Sequence, residues 1–146
     1  MTGMKRLIGL PVIWGGKQVG TVERGVLSKN GRTLRGLIVR EGLRSARWVD
    51  AGSISLVGRL SVHCRAQPQK PPRDAAFKLF RVTDANGLRI GIVTDALLDE
   101  ETLAVTALEI SSGPVDDLIS GRFFATSFDV KSYGVTGHVT IPCKEN

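Results

Sequence analysis

An internal repeat constrains this chain more than any other feature. Val19-Gly20-Thr21-Val22 recurs 71 positions later as Ile90-Gly91-Ile92-Val93. The same offset carries Gly16 onto Gly87, Val26-Leu27 onto Leu97-Leu98, and the run Leu34 to Val39 onto Val105 to Ile110. The offset then drifts to 76, where Ile54 and Gly58 meet Val130 and Gly134, so the second copy carries a longer connection before its last strands. With 146 residues, two small units near the minimum size that encloses a core fit the length.

Between the copies, Ala66 to Asp74 holds three prolines and almost no apolar content. Proline fixes φ and removes backbone donors, so this stretch is expected to be an extended, semi-rigid linker. The expected organisation is a first unit over 1–66, a linker over 67–76 and a second unit over 77–146.

Each copy reads as a series of short strands, because 17 glycines and frequent Val, Ile and Thr favour strands and tight turns over long helices. Gly15-Gly16 and Asn86-Gly87 occupy equivalent positions and signal hairpin turns, as does Asn30-Gly31. Gly20 and Gly91 fall inside strands, where glycine marks a bulge or the bend that curls a small sheet. Glu109 aligns with Ile38, and a carboxylate is not buried unpaired. The face bearing Leu34, Gly36 and Ile38 is therefore expected outward, with Leu37, Val39, Leu108 and Ile110 in the core. Ser112 to Gly121 has proline near its start, acids in its first turn and glycine at its end, which specifies one short helical turn in the second copy.

Charge divides the halves. Residues 1–70 hold thirteen Lys and Arg against three Asp and Glu, and residues 71–146 hold seven against eleven. A basic unit beside an acidic one can recruit a polyanion, or pair with its opposite within or between molecules, giving a homo-oligomer. Arg32, Arg35, Arg40, Arg44, Arg47, Arg59 and Arg65 are candidates for phosphate contact, against the alternative of a solvated basic surface. Aromatic residues are 5% of the chain, few for stacking platforms, so only weak RNA binding is expected. Trp14, beside the first hairpin turn, and Ile38, apolar on the expected outer face, are candidates for contact with a partner or with the other unit.

No motif for catalysis or a cofactor stands out. Asp99-Glu100-Glu101 sits at an expected turn, and Asp116-Asp117 suits a helix start. Cys64 and Cys143 read as reduced thiols, although with His63 and His138 they could in principle hold zinc; neither spacing forms a ligand knuckle. The apolar runs are too short to span a bilayer or to make a signal peptide, which points to a cytoplasmic protein without membrane insertion.

A hydrophobic-Gly-hydrophobic-Val strand after a Gly-bearing turn, a polar hairpin, an alternating strand and the element Asp117-Leu118-Ile119-Ser120-Gly121-Arg122 together resemble the PRC-barrel family, over about residues 5–64 and again 78–142. The resemblance implies a mostly β protein of two tandem small β-barrels. It also implies a habit of binding macromolecules without catalysis, since the proteins that carry this barrel share no activity. The expected function is a non-catalytic cytoplasmic adapter with a protein partner. The alternative is an RNA- or ribosome-associated factor using the basic first barrel.

Overall fold

Two-residue and polar hairpins fold each repeat into a sheet. The computed structural model describes residues 1–113 and 121–143. Most of the helical turn expected over 112–121, including Asp116 and Asp117, lies outside them. The first sheet holds β2 (Pro11–Trp14), β3 (Lys17–Leu27), β4 (Leu34–Arg40), β5 (Arg47–Asp50), β6 (Ile54–Val57) and β7 (Val62–Cys64). The second holds β8 (Lys78–Asp84), β9 (Arg89–Leu98), β10 (Val105–Ser111), β11 (Phe123–Ala125), β12 (Asp129–Tyr133) and β13 (Thr136–Ile141). Strand β1 (Thr2–Gly3) and a 3-10 turn (Met4–Leu7) precede them.

The two sheets have the same topology. Their orders are β5-β4-β3-β2-β7-β6 and β11-β10-β9-β8-β13-β12, and in both the first strand of the repeat lies parallel to the last. The local irregularities repeat as well. Val19 is the extra residue before Gly20, and Ile90 is the extra residue before Gly91. Glu23 and Thr94 bulge at equivalent points, as do Arg35 and Thr106. A bulge bends and twists its strand. The three residues Ala51–Ser53 that join β5 to β6, at opposite ends of the sheet order, span at most about 11 Å, so the sheet must roll until its two edges approach. No strand pairing joins those edges among the described residues, and neither sheet is a closed barrel.

Glycine is required at particular points. Gly15 and Gly16 both adopt positive φ, 59° and 77°, which forms the two-residue turn between Trp14 and Lys17. A Cβ on Gly20, at φ 151°, would lie 2.7 Å from Val39 Cγ1 and 2.9 Å from the Arg40 carbonyl oxygen.

The repeats meet around a local two-fold axis. Thr33 and Ala104, equivalent at the 71-residue offset, face each other in an antiparallel bridge. Leu34 N–H donates to the Leu103 carbonyl at 2.9 Å and Val105 N–H donates to the Arg32 carbonyl at 2.8 Å, two bonds that the same offset interchanges. The segments that lead into each repeat also cross over. Thr2 and Gly3 pair with Leu98 and Leu97 of β9, and Lys5 N–H donates to Asp95 Oδ1 at 3.0 Å. In return Arg24, the equivalent of Asp95, donates from Nη2 to the carbonyl of Ala75 beside β3. Reciprocal contacts of this kind are what two-fold pairing of like units produces. One hydrophobic cluster results, running from Leu7, Val26 and Leu37 of the first repeat to Phe77, Leu98 and Leu108 of the second.

The stretch over 67–76 is part of this packing. Gln69 makes a two-bond bridge to Trp48, Ala75 is buried, and Asp74 takes Arg35 at 2.7 Å and Lys29 at 3.3 Å.

The facing of β4 corrects the sequence reading. Leu37 and Val39 are buried as expected, but so are Leu34 and Ile38. The inference took Glu109 to mark a solvent face. In the structure Glu109 is half-buried, accepting from Thr94 Oγ1 at 2.7 Å and Arg122 Nη1 at 3.0 Å. A satisfied carboxylate carries no information about the face of its aligned partner. On the first repeat that face is covered by Trp48, whose ring lies against Gly36.

Candidate functional site

Of the seven arginines singled out for phosphate contact, Arg32, Arg35, Arg40, Arg44 and Arg65 are held by acceptors of their own chain, and Arg47 and Arg59 have no side-chain hydrogen bond or ion pair among the described residues. Arg32 donates to the Phe128 carbonyl at 2.5 Å, approaches Asp129 Oδ1 at 3.5 Å, and lies over the Phe128 ring at 4.6 Å from its centre. It therefore ties the first repeat to the second. Arg35 pairs with Asp74 and lies 5.8 Å from the centre of the Trp48 ring. Arg44 pairs with Glu41 at 3.5 Å on an exposed loop, a contact of little energetic weight. Arg32, Arg35 and Arg44 are not brought together into one surface by any shared contact. Arg6, Lys17, Arg47 and Arg59 have no ion pair among the described residues.

Ile38 is 5% exposed and unavailable to a partner in this conformation. Trp14 is half-buried at the mouth of the first hairpin and packs against the central cluster.

A cleft of about 410 Å³ lies between the repeats. Its floor is apolar, with Met4, Ile8, Phe77, Phe80 and Ile92, and Lys5, Arg24, Lys78 and Asp95 stand on its walls. Equivalent segments of β3 and β9 both line it, Arg24-Gly25 and Asp95-Ala96. The two-fold thus places one cation and one anion at matching positions. Phe80 is 40% exposed, with Lys78 Nζ 5.8 Å from its ring centre. Such a cleft can hold an apolar side chain and orient a polar backbone beside it.

Both histidines have local partners. Ser61 Oγ lies 3.0 Å from His63 Nε2, and Thr83 Oγ1 lies 3.2 Å from His138 Nε2. Among the described residues no carboxylate is hydrogen-bonded to either ring, so neither pair has the third group that would orient it. The two histidines stand in different sheets. Cys64 is buried and Cys143 exposed, both free. Burial pushes the Cys64 thiol pKa up, away from the reactive thiolate. Asp99 accepts from the amides of Glu101 and Thr102 at 2.8 and 2.9 Å, which explains the acidic run as a capped turn. Those two amides, Thr102 first, hold its carboxyl below the usual range. The Arg35 hydrogen bond, followed by that of Lys29, does the same for Asp74.

Sequence reasoning missed Trp48 and Asp74. Trp48 aligns with Phe124 at the later offset, and that repeated aromatic was the available signal. Asp74 is the one acid in the stretch 67–76, and nothing in the residue order links it to Lys29 and Arg35, about forty residues upstream. No helix among the described residues is long and apolar enough to cross a membrane. No protein-family model matches the chain, and no curated protein matches it.

Proposed function

We propose that the protein is a non-catalytic cytoplasmic adapter that binds a protein partner, its repeats being rolled variants of the PRC-like barrel. One observation carries this reading over the nucleic-acid alternative: Arg32, Arg35 and Arg44 are engaged on acceptors of the same chain, while apolar side chains such as Phe80 and Phe124 stand exposed. A phosphate backbone would have to compete with Asp74, Asp129 and Glu41 for those guanidinium groups. The shared topology and bulges of the two sheets support a common rolled unit.

The excess of thirteen cations over three acids in residues 1–70 favours the second reading, an RNA- or ribosome-associated factor. Salt separates the two. Binding of a labelled single-stranded RNA, followed by anisotropy, is expected to be weak at about 20 mM salt and lost near 150 mM, because contacts from scattered surface cations release few counterions and are screened. Sub-micromolar RNA binding that survives 150 mM salt overturns the adapter reading. Affinity purification from nuclease-treated native lysate is expected to retain a protein partner.

A further inference from the structure

The two repeats differ at one sheet edge. In the first, the edge of β5 is occupied. Trp48 N–H donates to the Gln69 carbonyl at 2.6 Å and Gln69 N–H donates back to the Trp48 carbonyl at 2.8 Å, so the chain leaving β7 returns as a bridging extended segment. Phe124 is the equivalent of Trp48 at the 76-residue offset. It stands opposite Glu109 in β10 just as Trp48 stands opposite Ile38 in β4. Its amide and carbonyl therefore point away from β10, out of the sheet, and no hydrogen bond to them is found among the described residues.

The side chains differ in step with the backbone. Trp48 is 6% exposed and Phe124 53%. Gly36 leaves room for the indole, since a Cβ there would fall 2.6 Å from Trp48 Cε2 and Cη2. The equivalent residue of the second repeat is Ala107, which carries that Cβ, so the Phe124 ring has no bare backbone to lie on. An open edge beside an exposed aromatic is a template for a further strand.

We propose that the β11 edge at Phe124 is a docking site for an extended segment of a partner protein, free of acidic residues and carrying at least one cation, that bridges to the sheet as Gln69 bridges to Trp48 in the first. The argument for this occupant is the molecule's own. The equivalent edge is bridged by Gln69, within the segment Arg65-Ala66-Gln67-Pro68-Gln69-Lys70, which has two cations and no acid, and residues 77–146, the repeat that offers the open edge, carry ten acids against six bases. Backbone bonds from Phe124 supply register, and the ring supplies an apolar contact for an alternate side chain. This assignment rests on the adapter reading and gives it a site and a ligand chemistry.

The test is a titration of the full-length, isotope-labelled protein with a blocked synthetic peptide of sequence RAQPQK, followed by amide NMR. Saturable shifts confined to residues 122–126 and slowed exchange of the Phe124 amide are expected. Phe124→Ala is expected to weaken binding at least about fivefold. Phe124→Pro removes the outward N–H and is expected to abolish binding while leaving the remaining amide spectrum in place, because proline is tolerated where an edge amide faces solvent. Absence of saturable shifts at 122–126 at millimolar peptide overturns the proposal. Protection of the Phe124 amide that rises with protein concentration alone also overturns it, by showing that a second copy occupies the edge. A native partner still captured by Phe124→Pro rejects this docking site and leaves the adapter reading standing; tight, salt-resistant RNA binding rejects that reading whatever the peptide does.

Discussion

At position 36 a side chain of one hydrogen lets Trp48 lie flat on β4, and the methyl of Ala107 denies the same place to Phe124. Gly36→Ala is expected to lift the indole from its seat, shift tryptophan emission to longer wavelength and destabilise the protein by roughly 1–3 kcal/mol, the range for overpacking a close contact. An unshifted emission with an unchanged melt would show that the ring does not depend on the glycine. Single-residue readings also show what the sequence displays and what it hides. Leu37, Leu108 and Ile110 were legible as core because both repeats keep an apolar side chain there. Ile38 was misplaced because its aligned partner Glu109 is neutralised by Arg122 and Thr94, contacts that no alignment of the repeats reveals.

Among elements, β3, β4, β9 and β10 were legible because each follows a turn signal and keeps its offset without a gap. The parallel pairing of β2 with β7, and of β8 with β13, was not, since strands some fifty residues apart share no local turn chemistry. The prolines of 67–76 predict an extended stretch, but residues 73–76 form turns, with the Ala75 amide donating to the Pro72 carbonyl and the Phe77 amide to that of Asp74. The pairing of Gln69 to Trp48 was not legible, because backbone bonds leave no mark on residue type. The Asp74 clamp gives this element a pH signature. Its carboxyl is held below the ordinary value, first by Arg35 and then by Lys29, so it contributes stability that is complete above about pH 4 and is lost as pH falls through the lower folded value. Asp74→Asn should therefore make the acid limb of a stability–pH curve shallower below about pH 4 and leave its slope near pH 7 unchanged. Asp99, lowered by its turn amides, supplies part of the same limb and should survive the substitution. An acid limb of unaltered steepness in Asp74→Asn would show that the Asp74 clamp does not contribute to folding.

For the whole molecule, the repeat in the sequence becomes a pair of rolled sheets joined about a local two-fold, with reciprocal bonds at Thr33 and Ala104 and exchanged leading segments. Because the hydrophobic cluster runs through both repeats, the chain is expected to unfold as one cooperative unit. An adapter built this way presents the inter-repeat cleft and the β11 edge in fixed relation, with no hinge needed between them. Both tryptophans, Trp14 and Trp48, belong to the first repeat, so their fluorescence follows that half alone. Leu108 is wholly buried in the second half, and Leu108→Ala should cost about 2–5 kcal/mol by opening a cavity there. The most direct measurement is urea unfolding of Leu108→Ala by tryptophan fluorescence and far-ultraviolet circular dichroism in parallel. For a single folding unit both transitions are expected to move to lower urea together and still coincide. A fluorescence midpoint that stays at the wild-type value while the dichroism transition splits or shifts would show that the halves fold independently, and would contradict it.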